Sequence, residues 1–196
     1  LDSDKAKEPK QLSDGVITYL DAIKKRGPVD ILGIPTGFDI LDRSLNGLRP
    51  GTLTVVAARP KRGKSMLLQN WASYIAFNGG ACGPTPVLYI DTEMLFDEVR
   101  SRVLSHLARV PEREIINGRF KDNSEYEERL NKATEIMRSG LFLHKYFPGF
   151  AVEAIAGLAR KYKIKNNIGV LFFDYIKLPE GSSLQDAKEH QHLGFL

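Results

Sequence analysis

Apolar residues in this sequence follow two spacings, which predict alternating strands and helices. Short continuous apolar runs, typical of buried strands, occur at 53–58, 87–90, 141–144 and 169–173. Apolar residues recur every three or four positions at 64–78, 97–108, 112–117, 123–138 and 152–162, which predicts helices. Continuous apolar strands that alternate with helices are typical of a parallel sheet. We therefore predict an α/β fold with a mostly parallel sheet and helices on both of its faces.

The first 28 residues do not share this alternation. Residues 1–10 are polar and charged, and we expect them to form a disordered tail. Residues 12–26 predict an amphipathic helix, capped by Ser13 or Asp14 and ended at Gly27. Its apolar stripe consists of Leu12, Val16, Tyr19, Leu20 and Ile23. This stripe either folds back on its own domain or packs, as an arm, on a neighbouring subunit, where a repeated contact would close a ring.

Composition narrows the class of protein. The chain has 196 residues, of which 42% are hydrophobic and 27% charged, so one globular domain is expected at 29–196. No apolar run approaches the roughly 20 residues that span a bilayer, so we expect no membrane helix. The net charge of +4 permits contact with a polyanion, although an ordinary solvated surface explains it more simply. The single cysteine, Cys82, fits a reducing cytosol.

A nucleotide-binding loop is predicted directly after the run at 53–58. The sequence A-R-P-K-R-G-K-S at 58–65 matches the pattern G-x-x-x-x-G-K-[ST], with Ala58 in place of the first glycine. In such a loop, backbone N–H groups and the N-terminus of the next helix bind phosphate oxygens. Lys64 would contact the β- and γ-phosphates and Ser65 would bind Mg²⁺; an accidental Gly-Lys-Ser turn is the alternative. The candidate nucleotide-binding residues are Ala58, Arg59, Pro60, Lys61, Arg62, Gly63, Lys64, Ser65 and Met66.

Two carboxylates follow predicted strands and complete a candidate catalytic set with Lys64. Glu93 comes shortly after the run at 87–90, and Asp174 directly follows the run at 169–173, as in a Walker B motif. Carboxyl ends of parallel strands lie at the edge where such sheets bind ligands. There Glu93 would polarise the water that attacks the γ-phosphate, or else cap the next helix, and Asp174 would reach Mg²⁺ through water. Asp91 is a weaker candidate, since an Asp at a strand end is often a turn residue.

Several stretches resemble the ATPase domain of DnaB-type replicative helicases. The segment I-P-T-G-F-D at 34–39, with L-D at 41–42, G-L at 47–48 and P-G at 50–51, resembles the beginning of that domain. The A-A-R-P and G-K-S sequences of the loop, the E-M pair at 93–94 and the D-Y pair at 174–175 resemble its later motifs. Arg102 matches an arginine of the E-M motif, and the family commonly has alanine at the position of Ala58.

The resemblance covers roughly residues 12–196 and implies a RecA-like P-loop fold that hydrolyses ATP with Mg²⁺. It implies that Glu93 is the catalytic base and that the helix at 12–26 is a linker helix, which docks on the adjacent subunit of a hexamer. Hydrolysis would drive translocation on single-stranded DNA within that ring. A primase and a helicase loader are further implied partners, and the implied location is the cytoplasm of a bacterial cell or a phage-infected host.

The family pattern continues beyond the Walker B motif, with DNA-binding loops, a Gln that senses the γ-phosphate and an arginine finger. Residues 175–196 offer no candidate for that finger, so we expect the C-terminal part of the domain to be missing. Two other functions remain open. One is a RecA-like recombinase, which would form open filaments on DNA. The other is a nucleotide-dependent assembly or loader module, whose ATP turnover would not respond to DNA.

Overall fold

A computed structural model describes residues 11–27, 30–149 and 151–175, and its centre is a parallel sheet. Strand β1 (Val87–Asp91) lies between β2 (Phe142–Tyr146) and β3 (Val170–Asp174). The predicted runs at 87–90, 141–144 and 169–173 are therefore confirmed as strands within two residues. The register places Asp91 beside Asp174, so the carboxyl ends of the two strands meet at one edge of the sheet.

The part of the chain that the structure describes also forms seven α-helices. They are α1 (Val16–Arg26), α2 (Asp39–Leu45), α3 (Lys64–Phe77), α4 (Phe96–Ala108), α5 (Glu112–Ile116), α6 (Ser124–Ser139) and α7 (Val152–Asn166). The helices predicted from apolar spacing are all present. Helix α2 is an addition to the prediction, because seven residues are too few to display a helical repeat.

Alternate residues of the strands pack on two different helix layers. On one face, Val87, Tyr89 and Phe172 pack with α3, whose residues Trp71 and Ile75 are buried there. The other face carries Leu88, Ile90, Leu143, Leu171 and Phe173, which pack with Ile155, Leu158 and Tyr162 of α7. Helices α4, α5 and α6 form a smaller apolar cluster beside the sheet. The prediction of a parallel sheet covered on both faces is confirmed, and it explains why the strands read as continuous apolar runs.

The segment at 53–58 is not a strand in the described structure, so this part of the prediction is wrong. Its apolar side chains are largely in solvent; Leu53 is 87% exposed and Val55 is 68% exposed. A cavity of about 560 Å³ lies between this segment and β3. A strand forms only where its backbone N–H and C=O groups pair with a neighbour, and across this cavity they do not reach β3.

One buried carboxylate fixes the turn at residues 36–37 by accepting three hydrogen bonds. Asp42, on α2, accepts hydrogen bonds from the N–H and the hydroxyl of Thr36, both at 2.7 Å, and from the N–H of Gly37 at 3.1 Å. Gly37 has φ of +88°, and a Cβ there would lie 2.7 Å from the Tyr74 ring. The T-G pair at 36–37 and the L-D pair at 41–42 therefore have a structural reason. Only glycine fits at position 37 of the turn, and the carboxylate of Asp42 accepts the hydrogen bonds that the turn donates.

Helix α1 begins later than predicted and has a different cap. Its N-cap is Gly15, with φ of +73° and no side-chain hydrogen bond, so the predicted caps Ser13 and Asp14 are wrong. Both precede the helix in a turn, in which the N–H of Asp14 donates to the carbonyl of Gln11. The end is confirmed, since the N–H of Gly27 donates to carbonyls of the last turn. No residue of α1 is buried, so its apolar stripe does not fold back on the described domain.

None of the described helices combines the length and the apolar character that crossing a membrane requires.

Candidate nucleotide site

The loop before α3 leaves the N-terminus of that helix open to an anion. Helix α3 begins at Lys64, after Gly63 in a left-handed conformation with φ of +87°, and no side chain caps it. A Cβ at Gly63 would meet no described residue within 4 Å, so the space beside this residue is open. The first N–H groups of a helix have no partners within it, and they favour negative charge. This geometry suits a phosphate group.

The remaining predicted loop residues surround this opening and are mostly exposed. Positions 58–63 and Met66 lie at the surface, and the chain turns there through a hydrogen bond from the N–H of Arg62 to the carbonyl of Arg59. Lys61 adopts a left-handed conformation with φ of +62° in the same turn. Three cationic side chains therefore lie around a solvent-accessible loop, which raises the local concentration of anions.

Lys64 and Asp174 form an ion pair that joins the loop to the end of β3. The Lys64 ammonium nitrogen is 2.9 Å from Oδ1 of Asp174, whose side chain is only 3% exposed. Oδ1 has no aligned hydrogen bond to the described residues, so the contact is ionic. The same ammonium lies 3.8 Å from the centre of the Tyr175 ring. The fold thus brings together the two residues that the sequence predicted would bind phosphate and orient a metal ion.

The second oxygen of Asp174 has a partner that the sequence interpretation missed. The Tyr89 hydroxyl donates a hydrogen bond to Oδ2 at 3.0 Å. Burial, together with the nearby charge of Asp174, raises the pKa of Tyr89 far above its ordinary value, so the phenol keeps its proton and acts as the donor. A signal was present in the sequence: a tyrosine inside an otherwise aliphatic buried strand needs a partner for its hydroxyl.

Glu93 lies on a short turn held by Asp91. Oδ1 of Asp91 accepts the backbone N–H of Glu93 at 2.7 Å and that of Met94 at 2.8 Å. The backbone between them is tied to β3, since the N–H of Thr92 donates to the carbonyl of Asp174. Asp91 therefore acts as a turn residue, the alternative that the sequence offered for it. Its carboxylate fixes the backbone of Glu93, the predicted catalytic base.

The side chain of Glu93 is exposed to solvent rather than buried in the core. The alternative role for Glu93, a cap on the next helix, is filled by Glu98, whose carboxylate accepts the N–H of Leu95 at 2.7 Å. Arg102, the arginine that matched the E-M motif, lies on α4 with its Nε 3.9 Å from a carboxylate oxygen of Glu112.

The residues near the loop fit a magnesium ion only together with nucleotide phosphates. Ser65 offers a hydroxyl on the first turn of α3, and Asp174 offers a buried carboxylate oxygen whose contact is ionic. Such oxygen donors suit Mg²⁺. The described residues contain no group of three or more His, Cys, Asp or Glu side chains that could hold a metal ion alone. Mg²⁺ commonly completes its shell with substrate phosphates and water, so this donor set is compatible with it.

Asp91 gives a testable pH dependence of stability. Burial raises the pKa of Asp91, and its Oδ2 is buried without a hydrogen bond to any residue that the structure describes. The folded protein therefore holds this proton more tightly than the unfolded chain does, and Asp91 lowers stability as pH rises from the ordinary carboxyl pKa through the raised one. Asp91→Asn keeps the accepting Oδ1 and cannot ionise. We expect urea unfolding to show a gain of about 1 kcal/mol at pH 8, vanishing near pH 4. An equal difference at both pH values would contradict this assignment.

A family model and several relatives match the chain. The model of the DnaB-like helicase C terminal domain matches residues 33–194. Replicative DNA helicase DnaB of Pasteurella multocida is 30% identical over 174 residues, which cover 84% of this chain and 35% of the relative. Replicative DNA helicase DnaC of Bacillus subtilis is 30% identical over 168 residues, again 84% of this chain and 35% of the relative. The chain thus spans about a third of the length of these curated relatives.

Two solved structures share the fold. A structure described as an ATPase domain superposes with a TM-score of 0.77 and 23% identity, covering 94% of this chain and 63% of that one. A DnaB-like replicative helicase, described with its interactions with primase, superposes with a TM-score of 0.75 and 24% identity, covering 92% of this chain and 42% of that one. At this identity the likeness shows the fold, which is the RecA-like α/β architecture that the sequence predicted.

Proposed function

This chain belongs to the family of DnaB-like helicase C-terminal domains, and from that premise we propose that it is the ATPase motor of a replicative DNA helicase. In this proposal ATP binds with Mg²⁺ at the loop before α3, and hydrolysis drives translocation on single-stranded DNA. The matched relatives are bacterial, so the proposed cellular location is the cytoplasm of a bacterial cell or a phage-infected host.

The contact between Lys64 and Asp174 is the observation that carries this proposal. A phosphate-binding lysine and a buried carboxylate at a strand end are 2.9 Å apart although they are far apart in the sequence. Lys64 would move to the β- and γ-phosphates, Ser65 and Asp174 would hold the magnesium ion, and Glu93 would orient and deprotonate the attacking water. Bound Mg²⁺ would neutralise charge on the phosphates; the chain's own residues place the reactants.

The proposal extends to an assembled ring. The chain covers about 35% of its relatives, so DNA-contacting parts and an arginine finger would come from the rest of such a protein and from a neighbouring subunit. The exposed stripe of α1 supports a homo-oligomer, which we propose is a hexamer, because isolated apolar stripes are usually covered in an assembly. A primase and a loader are the further partners of this proposal.

A charge placed on the stripe of α1 should weaken assembly. Leu20 is 49% exposed in the single chain, so burial of the exposed half of its side chain contributes about 1 kcal/mol at each interface. We expect Leu20→Asp to reduce the mass measured by size-exclusion chromatography with light scattering at concentrations where the parent assembles. Thr18→Asp adds the same charge to the opposite side of the helix and should leave the mass unchanged. Assembly of the Leu20→Asp protein at the parent's concentration would remove α1 from the interface.

Strand displacement on a forked DNA duplex tests the function itself. We expect ATP-dependent displacement from a protein that contains this chain at the length of its relatives, and closed rings in electron micrographs. Open filaments without processive displacement would instead favour a RecA-like recombinase. Tight ATP binding with neither displacement nor DNA-stimulated turnover would favour the assembly or loader module.

A further inference from the structure

We propose that Tyr89 is a positioning residue for Asp174: its hydroxyl holds one carboxylate oxygen in place while Lys64 leaves the other oxygen for the nucleotide. This role rests on the proposed ATPase function, because it concerns the orientation of the carboxylate that meets the metal ion. The sequence patterns that identified the loop and the carboxylates did not include Tyr89.

The two oxygens of Asp174 have partners of different kinds. Oδ1 faces the Lys64 ammonium at 2.9 Å, and Oδ2 accepts the Tyr89 hydroxyl at 3.0 Å. Lys64 lies at the open N-terminus of α3, where its side chain is 22% exposed and can turn toward a bound phosphate. Tyr89 lies on the central strand and is fully buried. One partner is therefore able to leave and the other is not.

Packing fixes the position of the Tyr89 hydroxyl. Its ring stacks between Phe142 of β2, at a centroid distance of 5.8 Å, and Phe172 of β3, at 6.0 Å, with interplanar angles of 26° and 22°. Strands on both sides hold its backbone. A ring held in this way cannot follow a rotating carboxylate, so the hydroxyl acts as a fixed donor that selects one orientation of Asp174.

A buried amide connects α3 to the turn that carries Glu93. Gln69, on α3, has its Nε2 3.5 Å from the sulfur of Met94, next to Glu93. Gln69 is 3% exposed, so water does not compete for this contact. Loss of the Tyr89 hydroxyl would thus free Asp174 without removing the loop, the helix or the turn that carries Glu93.

The consequence is a separation of metal binding from nucleotide binding. Once Lys64 has moved to the phosphates, Oδ1 of Asp174 is open to the cation, and the Tyr89 hydroxyl still holds Oδ2. Without the hydroxyl, Asp174 can rotate, remain paired with Lys64 or turn away from the metal. Partners that orient a metal-binding carboxylate are worth about 10–100-fold in metal affinity.

The test measures Mn²⁺ affinity, by electron paramagnetic resonance, in the presence of saturating ATP, together with ATP affinity in EDTA. We expect Tyr89→Phe to weaken Mn²⁺ binding about tenfold and to change metal-free ATP affinity by less than about twofold. Tyr162→Phe removes a hydroxyl from the opposite core layer and should change neither value.

Two further replacements of Tyr89 separate the donor from the volume of the side chain. Replacement with 4-aminophenylalanine retains a hydrogen-bond donor and should restore Mn²⁺ affinity. Replacement with 4-methylphenylalanine matches the volume without a donor and is the variant to measure if Tyr89→Phe does not fold.

The outcomes separate this role from the proposed function. Wild-type Mn²⁺ affinity in Tyr89→Phe or in the 4-methyl variant would overturn the role while leaving the ATPase proposal intact. An equal loss of metal-free ATP affinity would show that the hydroxyl only supports the fold of the site, and would also overturn it. Failure of the wild-type chain to bind ATP at all would contradict the proposed function and this role with it.

Discussion

Lys64→Ala should reduce ATP turnover by about 1000-fold or more, because the variant loses the loop cation that already lies against the carboxylate of Asp174. The lysine is proposed to stabilise charge on the β- and γ-phosphates as the γ-phosphoryl group leaves. Exposed neighbours in the loop do not have its position at the start of α3. ATP affinity should fall as well, and a fluorescent ATP analogue measures that loss directly.

Lys61→Ala is the matched control for this prediction. It removes one positive charge from the same loop, but its side chain is exposed and lies outside the ion pair with Asp174, so turnover should fall by less than about tenfold. Comparable losses in the two variants would mean that the loop acts only through its total charge. Turnover of Lys64→Ala within about tenfold of the parent would contradict the assignment of Lys64.

Glu93→Gln should bind ATP normally and hydrolyse it about 100- to 10,000-fold more slowly. Glutamine keeps the size of the side chain but cannot accept the proton of the attacking water. Its backbone N–H would still donate to Asp91, so the turn should be preserved. A single-turnover assay with radiolabelled ATP, combined with a binding titration, separates the chemical step from binding.

Glu98→Gln tests whether any nearby carboxylate has the same effect. Glu98 lies five positions further along and accepts the N–H of Leu95 at the start of α4, a role that an amide oxygen retains in part. We expect its hydrolysis rate to stay within about threefold of the parent. Normal hydrolysis in Glu93→Gln would remove Glu93 as the catalytic base.

The architecture was predictable where residue pattern and local chemistry agree. The runs at 87–90 and 169–173 are strands whose two faces both pack on helices. Helix α3 begins at Lys64 because Gly63 adopts the left-handed conformation that the preceding turn requires. The neighbourhood of Asp91 and Asp174 also followed from the sequence, since parallel strands bring their carboxyl ends to one edge.

Other features depend on contacts that no local pattern encodes. The run at 53–58 has strand composition, but a strand also needs a paired neighbour, and a cavity separates it from β3. Helix α1 starts at Val16, after Gly15, because the left-handed backbone conformation of Gly15 outweighs the predicted side-chain caps that precede it. The Tyr89 hydroxyl meets Asp174 only through the register of β1 and β3, which local sequence patterns do not determine.

Steady-state ATP hydrolysis with and without single-stranded DNA tests the central claim most directly, on this chain and on a protein of the length of its relatives that contains it. The account predicts Mg²⁺-dependent hydrolysis that DNA stimulates in the longer protein and that Lys64→Ala abolishes. Hydrolysis that does not respond to DNA in the longer protein would contradict the helicase motor, and absence of nucleotide binding in both proteins would contradict the site itself.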